Sequence, residues 1–202
     1  MSGLSHYSNS RVAPEGLCAC HVVQRGYRRL PIFGEESDPE RYLELLAKGL
    51  CGSDLSLLAY CLMPNHVHLV LWPGDLARIK EAINRIHRHY ADYFVSCGSR
   101  TSQLWSPHWL QVPLNFGSLW TVVRYVELNP VRAGFVADAS RYPFSSAAAH
   151  VSGQDPLGIL DLERWRLFFG GENWRFELER WAKEGQAHER VRLYRRAYRV
   201  SI

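Results

Sequence analysis

Two histidines stand two residues apart inside an apolar run, AYCLMPNHVHLVLW, at residues 59–72. The run predicts a β-hairpin, with strands over residues 55–63 and 66–72 joined by a tight Pro-Asn turn. Because side chains alternate between the two faces of a strand, His66 and His68 should project side by side. Two adjacent imidazoles can bind a divalent metal ion, although two ordinary histidines on a solvent-facing strand would give the same pattern.

A second polar group appears in RYVELNPVRAGF, residues 124–135, near the end of a helix predicted over residues 117–130. Tyr125 and Asn129 lie four residues apart and therefore on one helix face. Tyr125 offers a phenol, and the amide oxygen of Asn129 is a hard ligand of the kind that Mg²⁺ and Mn²⁺ bind. Glu127 should point away from this face. An ordinary amphipathic helix ending at a proline would also explain the pattern.

The elements that must position these side chains follow a recognisable order. A strand is predicted over residues 18–26, and an extended segment over 104–116. Helices are predicted over 37–50, with Ser37 or Asp38 as the cap, and over 75–94; Ser118 is the expected cap of the helix that carries Tyr125. The order strand, helix, strand, strand, helix, strand predicts an α+β, ferredoxin-like antiparallel sheet with helices packed on one face.

The chain divides by composition into three parts. Residues 1–17 form a polar lead-in, residues 18–150 contain the predicted sheet and helices, and residues 151–202 predict a mostly helical C-terminal extension of unknown role. The lead-in lacks the apolar core of a signal peptide, and no apolar run approaches the roughly 20 residues of a membrane helix. We therefore expect a cytoplasmic protein.

The charge of the chain permits a nucleic-acid partner without requiring one. The formal net charge is +4 and the pI is about 8.9. Five cysteines form no paired framework, and Cys18-Ala-Cys20-His21 fits no common zinc spacing. Basic side chains cluster after the first strand, on the long helix and after the tyrosine phrase. The candidates for phosphate contacts are Arg25, Arg28, Arg29, Arg85, Arg88 and Arg132.

The two phrases AYCLMPNHVHLVL and RYVELNPVRAGFV together resemble the REP-associated tyrosine transposases, which are single-tyrosine members of the HUH transposase family, related to insertion-sequence transposases. RGYRRLPIF and YPFSSAAAH also look like that family, so the resemblance covers roughly residues 18–150. Many relatives carry an aromatic and basic phrase before the tyrosine, where this chain reads LWSPHWLQVPL. That departure weakens the case for a DNA contact from this segment.

The resemblance implies specific roles. His66, His68 and Asn129 would be metal ligands for Mg²⁺ or Mn²⁺, and Tyr125 would be the nucleophile that forms a 5′-phosphotyrosine link. The implied activity is that of a metal-dependent single-stranded DNA endonuclease and strand transferase acting on palindromic hairpin DNA. The rival interpretation is a non-catalytic nucleic-acid-binding module or repressor on the same fold. The sequence leaves both a monomer and a homodimer open.

Overall fold

The computed structural model describes residues 17–98, 103–170 and 173–184. The strands are β1 (Leu17–Arg25), β2 (Ser56–Met63), β3 (His66–Trp72) and β4 (Leu110–Asn115). The helices are α1 (Asp38–Leu50), α2 (Leu76–Ser96), α3 (Phe116–Glu127), α4 (Asn129–Arg132), α5 (Ala147–Ser152), α6 (Leu162–Phe169) and α7 (Trp174–Glu184), with short 3₁₀ turns at Tyr27–Arg29 and Ala139–Arg141.

The four strands form one antiparallel sheet in the order β2-β3-β1-β4. With helices α1 and α2 as the two crossovers, this order confirms the predicted ferredoxin-like α+β fold. The strand that carries the two histidines is central, because β3 pairs with both β1 and β2.

The sheet separates two apolar cores. Helices α1 and α2 cover one face, where Leu69 of β3 packs with Tyr42 and Ile83. The opposite face is covered by α3, whose Val122 packs in the same core as Trp165 from the C-terminal helices. The sequence predicted helices on one face; the structure has that layer and adds a second one. The division at residue 150 stays a prediction.

Local signals explain where the tyrosine helix begins and ends. Asn115 caps α3, accepting a hydrogen bond from the Ser118 N–H at 2.8 Å, and the Ser118 hydroxyl lies 3.1 Å from the Asn115 N–H. The prediction that Ser118 is the cap is therefore wrong: Ser118 is the third helical residue of a capping box. The helix breaks at Leu128, and Pro130 stands in the first turn of α4, where its missing N–H is tolerated.

Among the described residues, no helix is both long enough and apolar enough to cross a membrane.

Candidate active site

His66 and His68 lie on the sheet face that α3 covers. His68 pairs with Val23 of β1 and Cys61 of β2, while His66 pairs with Arg25 of β1 at the start of the strand. The two imidazole centroids are 4.8 Å apart and the rings are nearly perpendicular. Both side chains are buried, with residue exposures of 4% for His66 and 0% for His68. They therefore face the second helical layer, and the alternative of solvent-facing histidines is excluded.

One nitrogen of each ring is held by a neighbour. His66 Nδ1 lies 2.7 Å from Asn65 Oδ1, and the Asn65 amide donates in turn to the Arg29 carbonyl at 3.3 Å. His68 Nδ1 lies 2.9 Å from Nε2 of His21. Within the part of the chain that the structure describes, the buried Nε2 atoms of His66 and His68 have no hydrogen-bond partner. Both rings thus offer the same nitrogen for a further ligand.

Tyr125 lies next to His68 and His21. Its ring centroid is 5.8 Å from that of His68 and 6.2 Å from that of His21, edge-on in both cases. The Arg132 guanidinium lies 4.2 Å from the centre of the phenol ring and donates a 2.9 Å hydrogen bond to the Tyr125 carbonyl. Only 1% of the residue is exposed. The phenol therefore adjoins the imidazoles but is covered.

Asn129 lies one turn beyond the tyrosine, after the helix break. Its amide nitrogen donates to the Tyr125 carbonyl at 3.1 Å and to the Val126 carbonyl at 3.2 Å. These bonds hold the side chain against the end of α3. Among the described residues, the buried Asn129 Oδ1 has no hydrogen-bond partner. The amide is thus oriented with its nitrogen used and its oxygen available.

Burial keeps the imidazoles of this cluster neutral. Desolvation, followed by the positive charges of Arg25 and Arg29, lowers the pKa of His66 to about 4. Desolvation lowers the pKa of His21 to about 3, and the pKa of His68 lies well below its ordinary value for the same reason, with the neighbouring histidines adding to the effect. Neutral imidazoles have the lone pair that metal coordination requires.

Three of the buried atoms without a hydrogen-bond partner among the described residues are of types that bind divalent metal ions. They are Nε2 of His66, Nε2 of His68 and Oδ1 of Asn129, which is a set that divalent ions accept when other oxygen ligands complete it. No group of three or more His, Cys, Asp or Glu side chains suited to a metal ion occurs in the described ranges. Cys20 and His21 point to opposite faces of β1, so these two side chains cannot bind one metal ion together.

The predicted DNA-binding arginines fall into three places. Arg25 is directly opposite His66, and the exposed Arg28 and Arg29 follow in a short turn with left-handed backbone angles, φ 52° and 63°. Arg132 lies against the tyrosine. Arg85 and Arg88 are exposed on α2, on the far side of the sheet from the histidine pair, and the structure does not bring them to this cluster.

Sequence reasoning missed His21 as a member of the cluster. The signal was present in the alternation of β1, because His21 shares the parity of Val23 and Arg25. Recognising it required the register between β1 and β3, which joins residues 47 positions apart. Glu127 does point away from the tyrosine face, as expected: its carboxylate is engaged by Ser146, His150 and Trp174.

Together, the fold and this cluster define a ferredoxin-like protein in which paired histidines on a central strand face a tyrosine from a separate helix. The model of the IS200-like transposase family matches residues 16–129, which is more than half of the chain. The chain belongs to the IS200-like transposase family. The resemblance read from the sequence is thereby confirmed at the level of the family.

A solved structure has a similar fold. The chain is similar to a REP-associated tyrosine transposase bound to a REP hairpin, with a TM-score of 0.53 and 22% identity. The alignment covers 76% of this chain and 90% of that chain. At this identity the likeness shows the fold alone. No curated protein sequence matches this chain.

Proposed function

We propose that this transposase cleaves and rejoins single-stranded DNA through a covalent 5′-phosphotyrosine intermediate on Tyr125. The phenolic oxygen attacks a backbone phosphorus, the bond from phosphorus to the 3′-oxygen breaks, and the departing 3′-oxygen takes up a proton. A later attack by a 3′-hydroxyl restores a phosphodiester and releases the tyrosine. Each step exchanges one phosphoester for another, so no external energy source is required.

The observation that carries this proposal is the meeting of Tyr125 with the His66 and His68 pair on one sheet face, with ring centroids of Tyr125 and His68 5.8 Å apart. A phenol has a pKa of about 10 and is a weak nucleophile at neutral pH. The guanidinium of Arg132 over the ring favours the phenolate electrostatically. Glu127 does not take the phenolic proton, because its carboxylate is held by Ser146 and His150.

His66, His68 and Asn129 would hold a divalent ion, Mg²⁺ or Mn²⁺. When bound there, such an ion supplies Lewis-acid stabilisation of the negative charge that develops on the non-bridging phosphate oxygens. The protein's own contribution is orientation. Asn65 and the Asn129 hydrogen bonds fix the donor atoms before substrate binds, and α3 holds the phenol on the same face.

The proposed substrate is a palindromic hairpin with a single-stranded flank. Arg25, Arg28 and Arg29 lie at the His66 end of the sheet, where their charges can hold phosphates on either side of the reacting one. The family membership and the fold shared with a hairpin-bound transposase support this choice. Because Tyr125 is only 1% exposed, DNA must displace whatever covers the phenol before attack.

That burial favours a second candidate, a hairpin-binding module or repressor that performs no chemistry. The two candidates differ in one product. The full chain is incubated with a single-stranded hairpin oligonucleotide and Mn²⁺ and analysed on a denaturing gel. Catalysis gives a protein–DNA adduct, whereas a binding module gives complexes on a native gel and no adduct.

Three variants test the roles proposed for Tyr125 and His66. Tyr125→Phe should abolish the adduct, and Tyr93→Phe, a tyrosine on the opposite layer that donates to Asp38, should retain it. His66→Ala should lose cleavage and keep hairpin binding. An adduct that persists in Tyr125→Phe would reassign the nucleophile. Loss of both cleavage and hairpin binding in a folded His66→Ala protein would mean that the histidine contacts DNA or supports the fold.

A further inference from the structure

His21 contacts His68 but has no role in the reaction proposed for Tyr125. It lies on β1 opposite Val70, is fully buried, and shares the α3-covered face with His68. Its Nε2 is 2.9 Å from Nδ1 of His68, and the two rings stack with centroids 5.1 Å apart and planes 19° from parallel. Because the contact joins a ring nitrogen of each residue, the protonation of one ring determines that of the other.

A hydrogen bond between two neutral imidazoles has two possible directions. If His68 Nδ1 carries the proton and donates, the lone pair of His68 remains on Nε2, the nitrogen that faces away from His21. If His21 donates instead, His68 must carry its proton on Nε2 and offers no lone pair there. Only the first direction leaves His68 able to bind a cation.

His66 provides an internal reference for the direction. Its Nδ1 lies 2.7 Å from Asn65 Oδ1, which can only accept, so Nδ1 of His66 carries the proton and Nε2 carries the lone pair. The two histidines project from the same face of β3, and both have a buried Nε2 without a hydrogen-bond partner among the described residues. For both histidines to bind one cation through Nε2, His68 must adopt the same tautomer as His66, with its proton on Nδ1.

We infer that His21 is a positioning residue, whose Nε2 accepts a hydrogen bond from Nδ1 of His68 and so fixes His68 in the tautomer that can bind a divalent cation through Nε2. The inference rests on the proposed metal-binding role of the histidine pair. Hydrogen bonds of this kind to the second nitrogen of a ligating histidine typically change metal affinity by about 10–100-fold.

The first measurement uses the full chain and needs no metal. Proton–nitrogen correlation spectra of the ¹⁵N-histidine-labelled protein distinguish the two neutral tautomers of each imidazole. We expect His66 and His68 both to carry the proton on Nδ1. A His68 that carries it on Nε2 would overturn the inference, whatever the protein does with metal or DNA.

The second measurement is Mn²⁺ affinity by isothermal titration calorimetry. His21→Met keeps a side chain of comparable bulk and replaces the ring nitrogen with a thioether sulfur, which is only a weak acceptor. Mn²⁺ binding should therefore weaken by about 10–100-fold, and His68 should populate both tautomers. His21→Gln can offer its amide oxygen at a similar reach and should restore most of the affinity. His68→Ala should lose binding altogether.

The outcomes separate the inference from the function on which it rests. Tight Mn²⁺ binding by wild type that is unchanged in a folded His21→Met protein would refute the positioning role alone. No Mn²⁺ binding by wild type, with His68 in the expected tautomer, would refute the proposed metal site and the inference with it. Should His21→Met fail to fold, the wild-type tautomer and the His21→Gln affinity still decide the question.

Discussion

Replacing Glu127 with alanine should destabilise the protein strongly, because this carboxylate joins the tyrosine helix to the C-terminal helices. Its side chain is fully buried and accepts hydrogen bonds from the Ser146 hydroxyl at 2.5 Å, His150 Nδ1 at 2.5 Å and Trp174 Nε1 at 2.7 Å. Ser146 and His150 belong to the α5 region and Trp174 to α7. One side chain on α3 thus binds groups from two other parts of the chain.

The magnitude follows from what each donor loses. The Ser146 hydroxyl retains an alternative acceptor, the Tyr60 carbonyl at 3.3 Å. The buried N–H groups of His150 and Trp174 would lose their acceptor, and each unsatisfied donor costs about 1–3 kcal/mol. Adding the small cavity left by the missing carboxylate, we expect Glu127→Ala to lower the free energy of unfolding by about 3–5 kcal/mol.

Urea unfolding followed by circular dichroism measures this difference. Glu179→Ala is the matched control, since Glu179 is exposed on α7, and its effect should stay within about 0.5 kcal/mol. A loss below about 1 kcal/mol for Glu127→Ala, with an unchanged dependence on urea, would refute the reasoning that this network anchors α3.

Three further predictions concern packing, pH and DNA. In Gly49→Ala, the new Cβ would lie 2.3 Å from Cγ1 of Ile86 on the facing helix. The free energy of unfolding, measured with urea, should therefore fall by about 1–3 kcal/mol, although alanine has the better helix propensity. Burial lowers the pKa of His87 to about 3, so the unfolded state binds the proton first. As pH drops below about 6, this one residue should contribute a fall of about 1.4 kcal/mol per pH unit to the unfolding free energy, and His87→Leu should reduce the pH slope by that amount. Arg29→Ala should weaken hairpin binding and reduce the slope of log K against log salt by about 1 in fluorescence anisotropy titrations, whereas Arg85→Ala, on the far face, should change it less.

Each of these three predictions has an outcome that would contradict it. A Gly49→Ala protein as stable as wild type would mean that the two helices do not approach as closely as described. An unchanged pH slope in His87→Leu would mean that this imidazole is protonated in the folded state. Equal salt slopes for wild type and Arg29→Ala would remove Arg29 from the DNA-contacting set.

Local sequence patterns predicted many of the strands and helices that position the candidate active site. The alternation of strand side chains was enough to place His66 and His68 on one face, because that rule needs only local geometry. The helix predicted over residues 75–94 likewise corresponds to α2, which runs over Leu76–Ser96, because helical periodicity is also a local signal. The resemblance of AYCLMPNHVHLVL and RYVELNPVRAGFV to one transposase family then indicated that these two segments, which are far apart in sequence, contribute to one site.

The remainder depends on contacts between residues far apart in sequence. The pairing of His21 with His68 requires the strand register, and the Glu127 network requires knowing that α7 packs against α3. The side of the sheet on which Arg85 lies depends on how α2 crosses over, which its own amphipathic pattern does not specify. No local rule contains this information, because tertiary packing determines it.

The proposed attachment of DNA to the phenol of Tyr125 is tested most directly by mass spectrometry of the covalent adduct. The protein is reacted with a hairpin oligonucleotide and Mn²⁺, digested with nuclease and protease, and the peptides are sequenced. We expect the residual nucleotide on the peptide that contains Tyr125, attached through a 5′-phosphate to the phenolic oxygen. A nucleotide on any other side chain, or a processed strand with no modified peptide, would contradict it.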